Sequence, residues 1–132
     1  YGIRPRKSTR EVFPAVDEPF LRDLVRGISD ADGADMNNSN PVQANHWRYV
    51  LVGSWDVVTM VSALAHHYAG VIPTVRAKES IYQLELSGVR ALSFLQWLYE
   101  PRPKLFLARK YAKYLEMRTF YAQKRQMLEV AT

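Results

Sequence analysis

Asp30, Asp32 and Asp35 lie close together at the end of a helical apolar repeat, and that is an unusual place for acids. Phe20, Leu21, Leu24, Val25 and Ile28 recur at three- and four-residue spacing, which predicts a helix from about Glu18 to Ile28. Gly33 is its expected stop, as a left-handed cap. A helix C-terminus carries partial negative charge and favours Lys or Arg nearby, so carboxylates there cost stability unless a cation offsets them. Departures from local consistency tend to mark functional sites, and the chemistry this one suggests is a divalent metal held by oxygen ligands. Gly27 and Ala31 sit one turn apart, which leaves one stripe of the helix nearly bare of side chain and open to another backbone.

The chain around this segment has 132 residues, enough for one domain with a real core. With 48% apolar and 23% charged residues it reads as globular. Lys plus Arg number 18 against 13 acids, a net charge of +5 that suits a polyanionic partner. Absence of cysteine excludes a disulfide framework and a thiolate metal site. No apolar run reaches membrane-spanning length and no leader pattern is present, so no membrane is expected and a soluble intracellular protein is. Tyr1 in place of an initiator Met suggests a processed or excised piece of something longer.

The flanking elements are those that must hold the acidic tip. Residues 1–16, with Arg4, Arg6, Lys7, Arg10, Pro5 and Pro14, read as an extended basic arm or linker, and residues 17–132 as the domain. After Gly33 the chain is polar and turn-rich to Asn45, where only a short strand is expected. His46–Val52 predicts a strand with Trp47, Tyr49 and Leu51 on one face and His46, Arg48, Val50 and Val52 on the other. Ser54 or Asp56 can cap a helix running to about Ala69, ended by Gly70. His66 and His67 near its end are read as structural, because a metal site needs more ligands than this pair.

Val71–Ala77 and Ile81–Ser87 predict two strands about the turn Lys78-Glu79-Ser80. Paired as a hairpin, they would bring Thr74, Arg76 and Lys78 beside Gln83 and Glu85 on a polar face. Val89–Tyr99 predicts a helix ended by the prolines that follow, and Leu105 to about Leu128 a final amphipathic stretch whose aromatic residues are read as core. Helices on one face of an antiparallel sheet leave the other face open, an α+β arrangement.

In that order of elements, Gly27-Ile28-Ser29-Asp30-Ala31-Asp32-Gly33 resembles the LAGLIDADG motif of homing endonucleases. The flanks resemble the same family: Pro5-Arg6-Lys7-Ser8 and Phe13-Pro14 upstream, Phe20 to Arg26 before the motif, then Trp47-Arg48, Gly53-Ser54, Tyr82 to Gly88, Leu98-Tyr99 and Leu107 to Tyr111. The resemblance implies an αββαββα unit with a saddle-shaped antiparallel sheet, and two such units meeting through the motif helix at Leu24, Gly27, Ile28 and Ala31. A homodimer, or the second half of a two-motif chain, would satisfy that.

The resemblance also implies metal-dependent cleavage of double-stranded DNA. Asp32 matches the family's catalytic, metal-binding acid, the Ala31 carbonyl a backbone ligand, and Mg²⁺ or another divalent cation the cofactor. Asp30 matches an acid that helps the helix end. Lys110, or Arg109 beside it, matches a basic residue near the scissile phosphate. Arg48, Thr74, Arg76, Lys78, Gln83 and Glu85 are the candidate DNA-contacting set, facing a groove whose base edges distinguish all four pairs. Such genes accompany introns or inteins. Two departures stand out: Ser29 replaces a bulky residue, and Gly53 stands where some members carry a polar residue that positions water. The alternative is a non-cleaving nucleic-acid-binding protein of the same fold, an RNA maturase or transcription regulator.

Overall fold

The computed structural model describes residues 18–37, 47–101, 103 and 106–131, the side chains of residues 18, 19, 34–37 and 131 excepted. The basic arm expected at residues 1–16 and the polar stretch at 38–46, including His46, lie outside the described residues. Helix α1 spans Glu18–Asp32, β1 Gly33–Asn37, β2 Trp47–Gly53 and α2 Trp55–Leu64. A π-helical turn, Ala65–Ala69, prolongs α2. Strands β3, Thr74–Lys78, and β4, Ile81–Ser87, precede helices α3, Val89–Tyr99, and α4, Ala108–Ala131.

The four strands form one antiparallel sheet in the order β1-β2-β4-β3. Trp47, Tyr49, Leu51, Leu84 and Leu86 are buried on one face. Against them pack Leu21 and Val25 of α1, Val58, Val61 and Leu64 of α2, Phe94, Leu95 and Leu98 of α3, and Tyr114 and Met117 of α4. The four helices among the described residues therefore cover one face, and period-two alternation sends the remaining strand residues to the other. This is the α+β, αββαββα order with one further helix.

Several local expectations are corrected. Helix α1 does not stop at Ile28 but runs to Asp32, so both motif acids lie in its last turn. Gly33 is not a left-handed cap, since the positive-φ glycines among the described residues are Gly70 and Gly88. It is instead the first residue of β1, paired with Leu51, where a Cβ would lie 2.7 Å from the Ser29 carbonyl oxygen. Close approach, not handedness, requires glycine there. Of the apolar repeat in α1, Leu21 and Val25 are buried, whereas Phe20 and Leu24 are 67% and 47% exposed. Strand β3 begins at Thr74 and not at Val71. The Ser54 cap holds, its hydroxyl accepting from the Val57 amide at 3.3 Å, and Gly70 ends the π turn at φ 70°.

Two arginines of α1 bind the end of α3. Arg26, 7% exposed, donates through Nε to the Leu98 carbonyl at 3.0 Å and through Nη1 to Asp23 at 2.8 Å. Arg22 donates to the Glu100 carbonyl at 2.8 Å. Cations on the last carbonyls of a helix satisfy unpaired acceptors and oppose its dipole.

Tyr114 sits fully buried beneath Tyr99, and its hydroxyl has no hydrogen-bond partner among the described residues. Burial, helped by the Glu100 charge and opposed by Arg118, raises its pKa above 10.0. A raised folded-state pKa leaves stability untouched below pH 10 and removes it as pH rises through the shifted value. Tyr114→Phe is expected to leave stability unchanged or raise it by about 1 kcal/mol at pH 7, because no hydrogen bond is lost. Thermal melts against pH should show a smaller loss above pH 10 in the variant.

Candidate active site and nucleic-acid interface

The acidic tip divides into two unlike carboxylates. Asp30 is fully engaged: its Oδ1 accepts from the Tyr99 hydroxyl at 2.7 Å and its Oδ2 from the Leu107 amide at 3.1 Å. Leu107 immediately precedes α4 and its carbonyl accepts from the Lys110 and Tyr111 amides, so Asp30 lies at the N-terminal end of that helix, where negative charge is favoured. Asp32 is exposed and makes no hydrogen bond or ion pair with any described residue. The cost of acids at the end of α1 is thus met at Asp30 by local donors and left open at Asp32.

Lys110 is half-buried, and its ammonium donates to the carbonyl of Gly33, the residue after Asp32. Arg109 is exposed. The residues singled out for helix packing divide as well. Leu24, Gly27 and Ala31 lie with Phe20 on one exposed stripe of α1, and a Cβ on Gly27 would meet nothing within 4 Å. Ile28 is half-buried against the protein's own core.

The open face carries the other candidates. Register places Thr74 opposite Glu85, Arg76 opposite Gln83, and Val50 opposite Glu85 from the other side. Arg48, Val50, Arg76, Lys78, Gln83 and Glu85 line one recess. Thr74, Arg76 and Lys78 are exposed. Glu85 is engaged, its Oε1 accepting from Arg48 Nη1 and Gln83 Nε2, each at 3.4 Å. It holds those two side chains in place on the face. Gly53 closes β2, and a Cβ there would approach Val57 no nearer than 3.7 Å, so the backbone leaves room for a side chain.

His66 and His67 are exposed on the π turn, and no cluster of three or more His, Cys, Asp or Glu occurs among the described residues. Asp32 and the adjoining Ala31 carbonyl are oxygen donors of the kind that could hold a divalent cation, too few by themselves to complete a site. Sequence reasoning missed Arg26, Tyr99 and the Leu107 amide. The i, i+4 spacing of Arg22 and Arg26 could have flagged the first; no local pattern marks the other two.

An open antiparallel sheet with its helices on one face, in the order αββαββα, is the homing-endonuclease fold. Among solved structures, the homing endonuclease I-TnaI matches with a TM-score of 0.56 and 17% identity over 80% of this chain and 74% of that one. I-CvuI, solved with the I-CreI target and 2 mM Mg with the DNA not cleaved, matches at 0.51 and 16% identity over 74% of this chain. I-CvuI with its own target and 2 mM Ca matches at 0.51 and 15% identity. This chain spans 62% of the I-CvuI chain. No family model and no curated protein matches. No helix among the described residues is long and apolar enough to cross a membrane.

Proposed function

We propose that this chain is one DNA-cleaving unit of a metal-dependent, site-specific double-strand endonuclease. The observation that carries the reading is the contrast at the helix tip, where each Asp30 oxygen accepts a hydrogen bond and Asp32 is exposed with no donor among the described residues. A second unit laid along Phe20, Leu24, Gly27 and Ala31 would bring two Asp32 carboxylates together, and like charges that close need cations. Asp32 and the Ala31 carbonyl would hold Mg²⁺ or another divalent cation. When bound, that ion supplies Lewis-acid stabilisation and a more acidic water for phosphodiester hydrolysis.

The chain's own groups supply the rest. The open face offers Arg48, Thr74, Arg76, Lys78 and Gln83 to base edges and phosphates, and the major groove, about 12 Å wide, admits a β-ribbon. Glu85 sets the directions of Arg48 and Gln83. Lys110, bonded to the carbonyl of Gly33 next in sequence to Asp32, would supply positive charge where charge develops on the phosphate. The basic balance of the chain favours DNA and makes binding salt-dependent.

The experiment is a selection for cut products from a randomised duplex library in Mg²⁺. Double-strand breaks within a long, near-palindromic site support the reading. Enrichment of bound duplexes with no cut product supports the non-cleaving regulator or maturase. The pairing surface has its own test: Leu24→Glu should weaken self-association at least about tenfold in sedimentation, as loss of one well-packed interface residue does. Its thermal stability should change little, because Leu24 lies off the core.

A further inference from the structure

Asp32 is flanked on both sides by contacts to α4. Before it, Asp30 accepts from the Leu107 amide at the start of that helix; after it, the Gly33 carbonyl accepts from Lys110, one turn further along. The hydrogen bonds of Lys110 and Tyr111 amides to the Leu107 carbonyl, both 3.0 Å, make this turn one rigid piece. The result is a closed ring: Asp30, Leu107, Lys110, Gly33, and back through the motif backbone past Asp32.

Tyr99 fixes the orientation of the ring's carboxylate. It is 1% exposed, stacked on Tyr114 at 5.5 Å and edge-on to Tyr111 at 5.7 Å, so its hydroxyl has little freedom beyond Asp30 Oδ1 at 2.7 Å. A bidentate carboxylate with one oxygen on a buried hydroxyl and one on a helix amide has a single rotamer that satisfies both.

We infer that Tyr99 and Asp30 are positioning residues that hold Lys110 beside Asp32, and so set the rate of strand cleavage without touching DNA. The inference rests on the nuclease reading for its catalytic part and on geometry alone for its positioning part. Outer partners that orient metal-site groups are commonly worth about 10- to 100-fold in activity.

The test is a double-mutant cycle of Tyr99→Phe and Lys110→Met, read by single-turnover cleavage in Mg²⁺, DNA affinity and melting temperature, with Asp30→Asn as a second route to the same contact. Nuclear magnetic resonance of the Lys110 ammonium in DNA-free protein reports its attachment directly. Tyr99→Phe should slow cleavage about tenfold or more with DNA affinity unchanged, and should slow it less than about twofold further once Lys110 is Met. Its Lys110 ammonium should exchange as fast as a free surface lysine. Additive losses, or a loss that tracks melting temperature and not Lys110, overturn the inference as a merely structural effect. A Lys110 signal unchanged in Tyr99→Phe and Asp30→Asn overturns the positioning itself. Protein that shows the tethered Lys110 yet cuts no member of the duplex library overturns the nuclease reading and the catalytic consequence with it.

Discussion

Asp32→Asn is expected to abolish Mg²⁺-dependent cutting while leaving DNA affinity within a small factor of the parent. The substitution keeps size and shape and removes one negative charge per unit, the charge that would hold the cation. No described residue bonds to Asp32, so nothing in the protomer has to rearrange, and melting temperature should be the same or slightly higher with one acid fewer at a helix C-terminus. Loss of a single electrostatic contributor costs about 10²–10³ in rate, and on the proposed reading, in which Asp32 holds the cation in each of two units, the loss should exceed the upper end of that range. The check is single-turnover cleavage of a selected site beside fluorescence anisotropy on the same duplex. Asp30→Asn should differ in kind: Asp30 bonds to Tyr99 and Leu107, so its loss should lower melting temperature as well. If the two substitutions behaved alike, the division of labour at the tip would be wrong.

How far that division could be read from the chain depends on the range of the interactions concerned. The apolar period of residues 20–28 fixed the existence of α1, and alternation in residues 47–52 and 81–87 fixed which side of each strand is buried, because both are local geometry. The stop of α1 was misplaced because glycine after an acid fits a left-handed cap and a crowded strand start equally well. Only the partner atoms, the Ser29 carbonyl and the Tyr49 hydroxyl, decide between them. The apolar repeat alone does not say which of its residues face the core and which an interface, because hydrophobicity has no sign for either; exposure separates Phe20 and Leu24 from the buried Leu21 and Val25.

The site was legible to the extent that its residues are contiguous. Asp32, Ala31 and Gly27 lie in one heptapeptide, and their placement on a helix tip and an exposed stripe followed from spacing. Asp30 and Asp32 could not be told apart in charge or propensity. What separates them comes from Tyr99 and Leu107, sixty-nine and seventy-seven residues away from Asp30. Nothing in the sequence separates Lys110 from a solvated helix charge; its contact with the Gly33 carbonyl is what ties it to the tip. Polar positions on the open face were predictable from strand parity, whereas the engagement of Glu85 by Arg48 and Gln83 is a matter of side-chain reach across β2 and β4.

Two glycines of the same segment should respond to the same substitution with opposite signs. At Gly33 an added methyl would lie 2.7 Å from the Ser29 carbonyl oxygen and 2.8 Å from the Tyr49 hydroxyl. The first is backbone in the last turn of α1, and the second belongs to a fully buried ring packed 4.9 Å from Phe94, so neither yields cheaply. Overpacking of this kind costs about 1–3 kcal/mol, which for a domain of this size is roughly 3–10 °C in melting temperature. Relief requires the helix tip to move off β1. Because Asp32 and the Lys110 contact sit at that tip, cleavage should fall by up to about 10²-fold even where the protein is folded, the cost of an ångström-scale misplacement. At Gly27 the methyl enters open space, and Ala is the better helix former by about 1 kcal/mol, so the isolated protomer should gain stability. The penalty there should appear in self-association, where the extra carbon stands between two helices. Melting curves and sedimentation on Gly33→Ala and Gly27→Ala side by side decide the matter: an association left unweakened by Gly27→Ala would show that the exposed stripe of α1 is surface and not a seam, and a protomer destabilised by it would show that the stripe is packed within the protomer.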